Sequence, residues 1–286
     1  MPENIPADIR KTVEQYCAGR ITRRDLLASL IAATGSYAAA HLFLESSGVA
    51  QTISDAESRA ANVAAETVQF PSGDAQIEGY LVKPKTADKH PAILLIHENR
   101  GLNEHIRDVA RRFASEGFVA LAPDLLSRRG GTGKMKTPEE AIAAIGTLPP
   151  MQSVGDLRAG FAYLETHPEV DAQKIASVGF CWGGWRSFML ATLEPKLHRT
   201  VVFYGSSPDA GFDKIQAPVL AHYAKWDQRI TGNSLNTDEQ MKKAGKKFQY
   251  YIYDKTDHAF FNDTGPRYNP GAAKLAWQRT LDFLRS

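Results

Sequence analysis

Four residues with reactive side chains stand just past short apolar runs: Glu98, Cys181, Asp227 and His258. A thiol, a carboxylate and an imidazole in that chain order can supply a nucleophile, the group that holds a base's tautomer, and the base itself. The thiol is the most informative of them. It stands alone between glycines in Ser177-Val-Gly-Phe-Cys-Trp-Gly-Gly184, after the apolar run Ile175 to Val178 and before an amphipathic run from Trp185 to Leu193. A residue so placed sits on a sharp turn from strand to helix, where Gly179 and Gly183 omit Cβ atoms that would strike the neighbouring strand or helix. Its sulfur would then meet the N-terminus of that helix, whose free N–H groups and partial positive charge favour thiolate. Taken alone, the motif also suits a buried structural cysteine.

Other elements must carry the remaining three. Thr67–Phe70 and Ile77–Val82 alternate around Pro71-Ser-Gly-Asp74 and predict a β-hairpin. Pro91–His97 and Phe118–Ala122 are continuous apolar runs, hence strands buried on both faces. Further strands are expected at Thr200–Tyr204, Val219–Tyr223 and Gln249–Tyr253. Helical patterns cover Glu104–Glu116, Pro138–Gly146, Val154–His167, Thr237–Gly245 and Ala272–Leu284, while the glycine-rich Arg128–Lys134 reads as a mobile loop near the rim. Strands alternating with helices predict an α/β fold, a mostly parallel sheet covered on both faces. In such sheets chemistry gathers at the carboxyl ends of the strands. Glu98, Cys181, Asp227 (in Lys225-Trp-Asp-Gln228) and His258 (in Thr256-Asp-His-Ala-Phe260) each follow one. A loop aspartate is usually a turn residue and a loop histidine usually surface; the joint placement is what argues for a site. Asp257 is adjacent to the histidine and would point away from it. Asp124 reads as a structural turn, and His97 and His222 as satisfied core histidines.

The chain from about Glu66 onward resembles the dienelactone hydrolase family (carboxymethylenebutenolidases), α/β-hydrolases with a cysteine nucleophile. The stretches that carry the resemblance are His97-Glu-Asn-Arg-Gly-Leu-Asn103, Ala120-Leu-Ala-Pro-Asp124, Val178-Gly-Phe-Cys-Trp-Gly-Gly184, Phe203-Tyr-Gly205 and Asp257-His-Ala-Phe260. The resemblance implies an α/β-hydrolase fold and hydrolysis of a small ester or lactone by Cys181, His258 and Asp227. The backbone N–H groups of Trp182 and Asn99 are the expected oxyanion donors. It also implies that Glu98 keeps the resting thiol protonated, with Arg100 a candidate ion-pair partner for that glutamate. The family's arginine four residues after the histidine is Asn262 here. That leaves Arg100, Asn262 or Arg267 as candidate substrate contacts, with Arg128 or Arg129 able to reach over from the glycine-rich loop. Tyr204 is a candidate polar contact, and Trp182 and Trp226 suggest a partly aromatic pocket. Two other readings of the chain are a non-catalytic small-molecule-binding domain and a redox-sensing thiol protein.

Composition narrows the classes further. With 286 residues, 43% of them hydrophobic and 23% charged, the chain can build a large core. A net charge of +2 with scattered basic residues gives no nucleic-acid footprint. Two distant cysteines are neither a disulfide framework nor a metal site. No pair among the eight histidines has metal-ligand spacing, so zinc is unsupported and no cofactor is implied.

Residues 1–65 stand apart from the catalytic domain expected over 66–286. Asp8 to Cys17 can form a short amphipathic helix. Ile21-Thr-Arg-Arg-Asp-Leu-Leu27 then precedes an Ala- and Leu-rich run to Leu44, interrupted by Gly35, Ser36 and His41 and too short for an ordinary membrane span. The paired arginines resemble a twin-arginine export signal, with Gly48-Val-Ala50 as a cleavage site. Export would place the chain in the periplasm. A helical hairpin opened by Thr22-x-x-Asp25 would instead be retained, leaving the chain in the cytoplasm.

Overall fold

The computed structural model describes residues 6–17, 20–21, 23–36, 39–40, 43 and 62–286. They divide into two compact units, with the boundary between Ala64 and Ala65.

The first unit holds α1 (Ala7–Cys17) and α2 (Arg23–Thr34), which share a small core of Ile9, Val13, Leu26, Leu30 and Ala40. The apolar residues of α1 recur at helical spacing, which is why one of its faces can be buried. The expected cleavage site at residues 48–50 lies outside the described residues. No described helix is long and apolar enough to cross a membrane.

The second unit is built on eight strands among the described residues: β1 (Val63–Ser72), β2 (Ala75–Pro84), β3 (His90–Ile96), β4 (Val119–Pro123), β5 (Val170–Phe180), β6 (Arg199–Phe203), β7 (Val219–Ala224) and β8 (Phe248–Tyr253). Their order in the sheet is β1-β2-β4-β3-β5-β6-β7-β8. β2 runs antiparallel to β4, and every pairing from β4 through β3 and β5 to β8 is parallel. This is an α/β-hydrolase fold. The β1–β2 hairpin turns at Gly73, whose φ of 58° suits glycine; its strands are longer than alternation alone outlined. Every residue of β4 and β7 is buried, as is Ala92–Ile96 of β3, so the centre of the sheet reads as unbroken apolar runs.

Helices α3 (Glu104–Ser115), α4 (Pro138–Gly146), α5 (Pro150–Thr166), α6 (Trp182–Ala191), α7 (Gln228–Thr231), α8 (Ser234–Lys243) and α9 (Pro270–Arg285) connect the strands or close the chain. Their starts are coded locally. Asn103, Thr137 and Asn269 accept the N–H groups of Ile106, Glu140 and Ala272 at 3.2, 3.2 and 3.0 Å, and Pro138 and Pro270 occupy first helical positions. α7 and the first turn of α5 escaped the sequence reading because neither has an apolar period of its own. From β3 the chain crosses to β4 on one side and later returns as β5 on the other. The loops after β3 and β5 therefore open beside each other at the reversal point, where such sheets hold their ligands.

Candidate active site

β5 runs straight into Cys181, whose φ of 54° and ψ of −117° lie outside the regions open to ordinary L residues. The Cys181 N–H donates to the Phe203 carbonyl of β6 at 2.9 Å, and its own carbonyl accepts from the Gly184 N–H at 3.0 Å. Glycines make this turn possible. A Cβ on Gly179 would run into the Gly183 carbonyl, and one on Gly183 would lie 2.6 Å from the Ile96 oxygen at the end of β3. The first turn of α6 can thus press against two strand ends at once, and the Cys181 thiol stands part-exposed at that helix's N-terminus.

His258 comes from the loop after β8 and Asp227 from the end of β7. Imidazole Nδ1 lies 2.5 Å from Asp227 Oδ2, and Nε2 lies 2.9 Å from Cys181 Sγ. Burial opposes a charge on His258, but the hydrogen bonds to Asp227 and Cys181, with their charges, outweigh it and raise its pKa to about 9. Asp227 shows the complementary balance: burial pushes its carboxyl up, while the hydrogen bond and charge of His258, then the charge of Arg229, bring it below the usual carboxylate range. Asp257 takes no part in this chain, its Oδ1 accepting the His258 backbone N–H at 2.7 Å.

A cavity of about 300 Å³ opens over the sulfur, lined in part by Asn99, Cys181, Trp182, Tyr204, Arg229 and His258. Among the described residues, the backbone N–H groups of Asn99 and Trp182 have no protein acceptor. They come from the two neighbouring loop ends, after β3 and after β5. The loop carrying Asn99 is clamped at its far end: Leu102 N–H donates to Thr132 Oγ1 at 2.9 Å, which donates in turn to Asp124 Oδ1 at 2.8 Å. Gly101, at φ 77°, leaves the space that Thr132 fills. Asp124 is therefore a turn residue whose turn braces the site. The glycine-rich segment expected to be a mobile loop forms two 3-10 turns, Ser127–Arg129 and Thr132–Lys134, tied down by these bonds and by Arg128.

Each oxygen of Glu98 accepts a hydrogen bond from a neutral side chain. Tyr204 OH donates to its Oε1 at 3.2 Å and Asn262 Nδ2 to its Oε2 at 2.7 Å. Asn262 cannot turn away, because its Oδ1 accepts from the Thr264 N–H at 3.0 Å and hydroxyl at 2.6 Å. Arg100 and Asn262 are therefore placed otherwise than expected. Glu98 is held by two neutral donors rather than by the thiol or by Arg100, which is exposed on the loop. Asn262 serves Glu98 and does not line the cavity. Tyr204 does line it, but commits its hydroxyl proton to Glu98. Burial, then the charge of Glu98, holds the Tyr204 phenol well above its usual pKa.

The arginines expected over the pocket are also placed elsewhere. Arg128 is bound to Asp156, Asp74 and the Ser72 carbonyl, and Arg129 to the Ala144 carbonyl and Thr147. Arg267 is exposed and outside the cavity lining, as is Trp226 at 63% exposure. Trp185, Arg186 and Arg229 line the cavity instead. Arg186 packs its guanidinium 3.2 Å over the Trp182 ring and donates to Ser153 Oγ and the Trp182 carbonyl, and burial pushes it down to about 9. The signal for Arg186 was its position four residues after Trp182 on one helix, which puts both on the same face.

The match to the Dienelactone hydrolase family model runs from residue 77 to residue 286, covering every element that builds this site. This chain belongs to the dienelactone hydrolase family. A protein of Synechocystis sp. provisionally named a carboxymethylenebutenolidase is 34% identical over 239 residues, spanning 77% of this chain and 95% of its own. One from Methylorubrum extorquens with the same provisional name is 31% identical over 232 residues, with 76% and 79% covered. Among solved structures, a Klebsiella pneumoniae protein provisionally named a dienelactone hydrolase superposes with a TM-score of 0.72 at 29% identity, covering 78% of this chain and 99% of that one. The fold and the hydrolase class expected from the sequence therefore stand with the dienelactone hydrolase family.

Proposed function

We propose that the chain hydrolyses a small carboxylic ester or lactone through a thioester acyl-enzyme on Cys181. The observation that carries this reading is the continuous contact from Asp227 through His258 to the sulfur, at 2.5 and 2.9 Å, beneath a cavity with two free backbone donors. The imidazole sits where it can take the thiol proton, leaving a thiolate beside an imidazolium that Asp227 stabilises. Sulfur attacks the carbonyl carbon: a C–S bond forms, and the carbonyl π electrons move onto oxygen, facing the N–H groups of Asn99 and Trp182. As the oxyanion collapses, the ester C–O bond breaks and the imidazolium proton goes to the departing oxygen. Water then gives a proton to His258 and attacks the thioester; the new C–O bond forms, C–S breaks, and the acid leaves with the thiolate restored.

The volume of the cavity favours compact substrates, and an alcohol or enol leaves more readily than an amine, so esters and lactones suit the site better than amides. Intact-mass spectrometry during turnover of an activated aryl ester should reveal an acyl adduct and a burst of alcohol release. Both should vanish in Cys181→Ala. Steady turnover by that variant would overturn the reading.

A further inference from the structure

His97 is the first residue past β3, fully buried, and shares no contact with the sulfur in the mechanism above. Its Nδ1 lies 2.7 Å from the Glu98 carbonyl oxygen, and its Nε2 lies 3.2 Å from the Leu125 backbone nitrogen. A backbone N–H can only donate, so Nε2 must carry the lone pair. The ring proton of the neutral imidazole then sits on Nδ1, which donates to the Glu98 carbonyl. Burial keeps the ring neutral, pushing its pKa down against the opposing charge of Asp124.

The Glu98 carbonyl and the Asn99 N–H belong to one peptide plane and point in opposite directions across it. Holding the oxygen therefore aims the hydrogen. The Asn99 N–H is one of the two donors without a protein acceptor, and Asn99 lines the cavity with Cys181. The other donor is on Trp182, whose ring lies parallel to His97 with centroids 5.6 Å apart and 3° between planes. One imidazole thus holds the carbonyl of the peptide that carries one donor and stacks on the ring of the residue that carries the other. A hydrogen bond to the carbonyl also polarises the peptide and makes its N–H a stronger donor.

We infer that His97 is a positioning residue for the oxyanion site, fixing and polarising the Glu98–Asn99 peptide so that its N–H faces the developing oxyanion. This rests on the thioester reading above and adds to it a histidine that touches neither substrate nor sulfur.

The test compares His97→Phe with His97→Asn. Phenylalanine keeps a flat ring against Trp182 and loses the donor. Asparagine keeps an N–H donor near the Nδ1 position, and both variants lose the Leu125 contact. With an aryl ester, His97→Phe should lower kcat about ten- to a hundred-fold with KM within about three-fold, and His97→Asn should stay within about five-fold of the parent kcat, since oxyanion donors act on the transition state. Thiocarbonyl sulfur accepts hydrogen bonds poorly, so the parent's preference for the ester over the matching thionoester should shrink in His97→Phe alone. Thermal unfolding of each variant is recorded alongside, so that a folding defect is seen directly. A kcat equal to the parent's in His97→Phe, an unchanged ester-to-thionoester ratio, or equal loss in both variants would overturn the inference. Cys181→Ala assayed in parallel separates the two claims: if it stays active the thioester reading fails, and if it alone is inactive only the role of His97 fails.

Discussion

Two carboxylates at strand ends are put to different uses by their partners. Asp227 is bonded to an ionisable imidazole, so it can answer the charge that His258 carries when protonated. Glu98 lies behind Tyr204, bonded to a phenol and an amide that stay neutral, and its hydrogen bonds can only hold. Residue type and placement at a strand end do not separate the two. Their neighbours do: a carboxylate against a titratable base can stabilise that base's charge, and one between fixed neutral donors only holds its neighbours in place.

The contrast can be attacked from the strong end first. Cys181→Ala, which removes the proposed nucleophile, should lower kcat/KM by more than about 10³-fold in an ester assay with the fold intact by circular dichroism. Asp227→Asn should cost about 10²–10⁴-fold, because the amide no longer stabilises the imidazolium. Its pH profile carries a sign. In the parent, the acid role proposed for His258 should be lost as pH rises through about 9, and removing the Asp227 charge lowers that pKa, so the alkaline limb should move to lower pH. The same raised pKa stabilises the folded state: the contribution is complete below the unfolded value of about 6.5, declines above it, and is lost as pH passes through about 9. Urea unfolding of the parent and His258→Gln at pH 6 and pH 9.5 should show the gap between them closing at the higher pH.

The Glu98 arm should answer differently. Asn262→Ala strands a buried carboxylate oxygen and should cost about 1–3 kcal/mol by urea denaturation. Glu98→Gln should change the rate of Cys181 alkylation by iodoacetamide less than about three-fold; an acceleration of ten-fold or more would make Glu98 a partner of the thiol and dissolve the contrast. Smallest of all, Trp226→Ala, on an exposed side chain next to Asp227, should shift stability by no more than about 0.5 kcal/mol.

The strand ends and the elbow were legible because both are written in short stretches. A buried parallel strand is an apolar run, and a strained strand-to-helix turn demands glycine at fixed offsets. Glu98, Cys181, Asp227 and His258 could be placed at strand ends on that basis alone. Partners across the sheet were not legible. Asn262 is 164 positions from Glu98 and Thr132 is 30 from Leu102, and nothing local at either residue names its partner. Long cations were the hardest. Arg128 and Arg267 were expected over the pocket and Arg186 and Arg229 were not, since a flexible side chain's destination depends on which acid or ring the fold brings within reach. His97 was read as a satisfied core histidine; it is satisfied, by the peptide beside the cavity.

The positive φ at Cys181 implies that reactivity and comfort are opposed at that position. An L side chain there costs the backbone on the order of 1–3 kcal/mol, which glycine would release. A chain freed from its chemistry would drift towards glycine on that bend, gaining heat resistance as it lost turnover. Keeping a side chain there is a tax the fold bears for presenting sulfur to solvent.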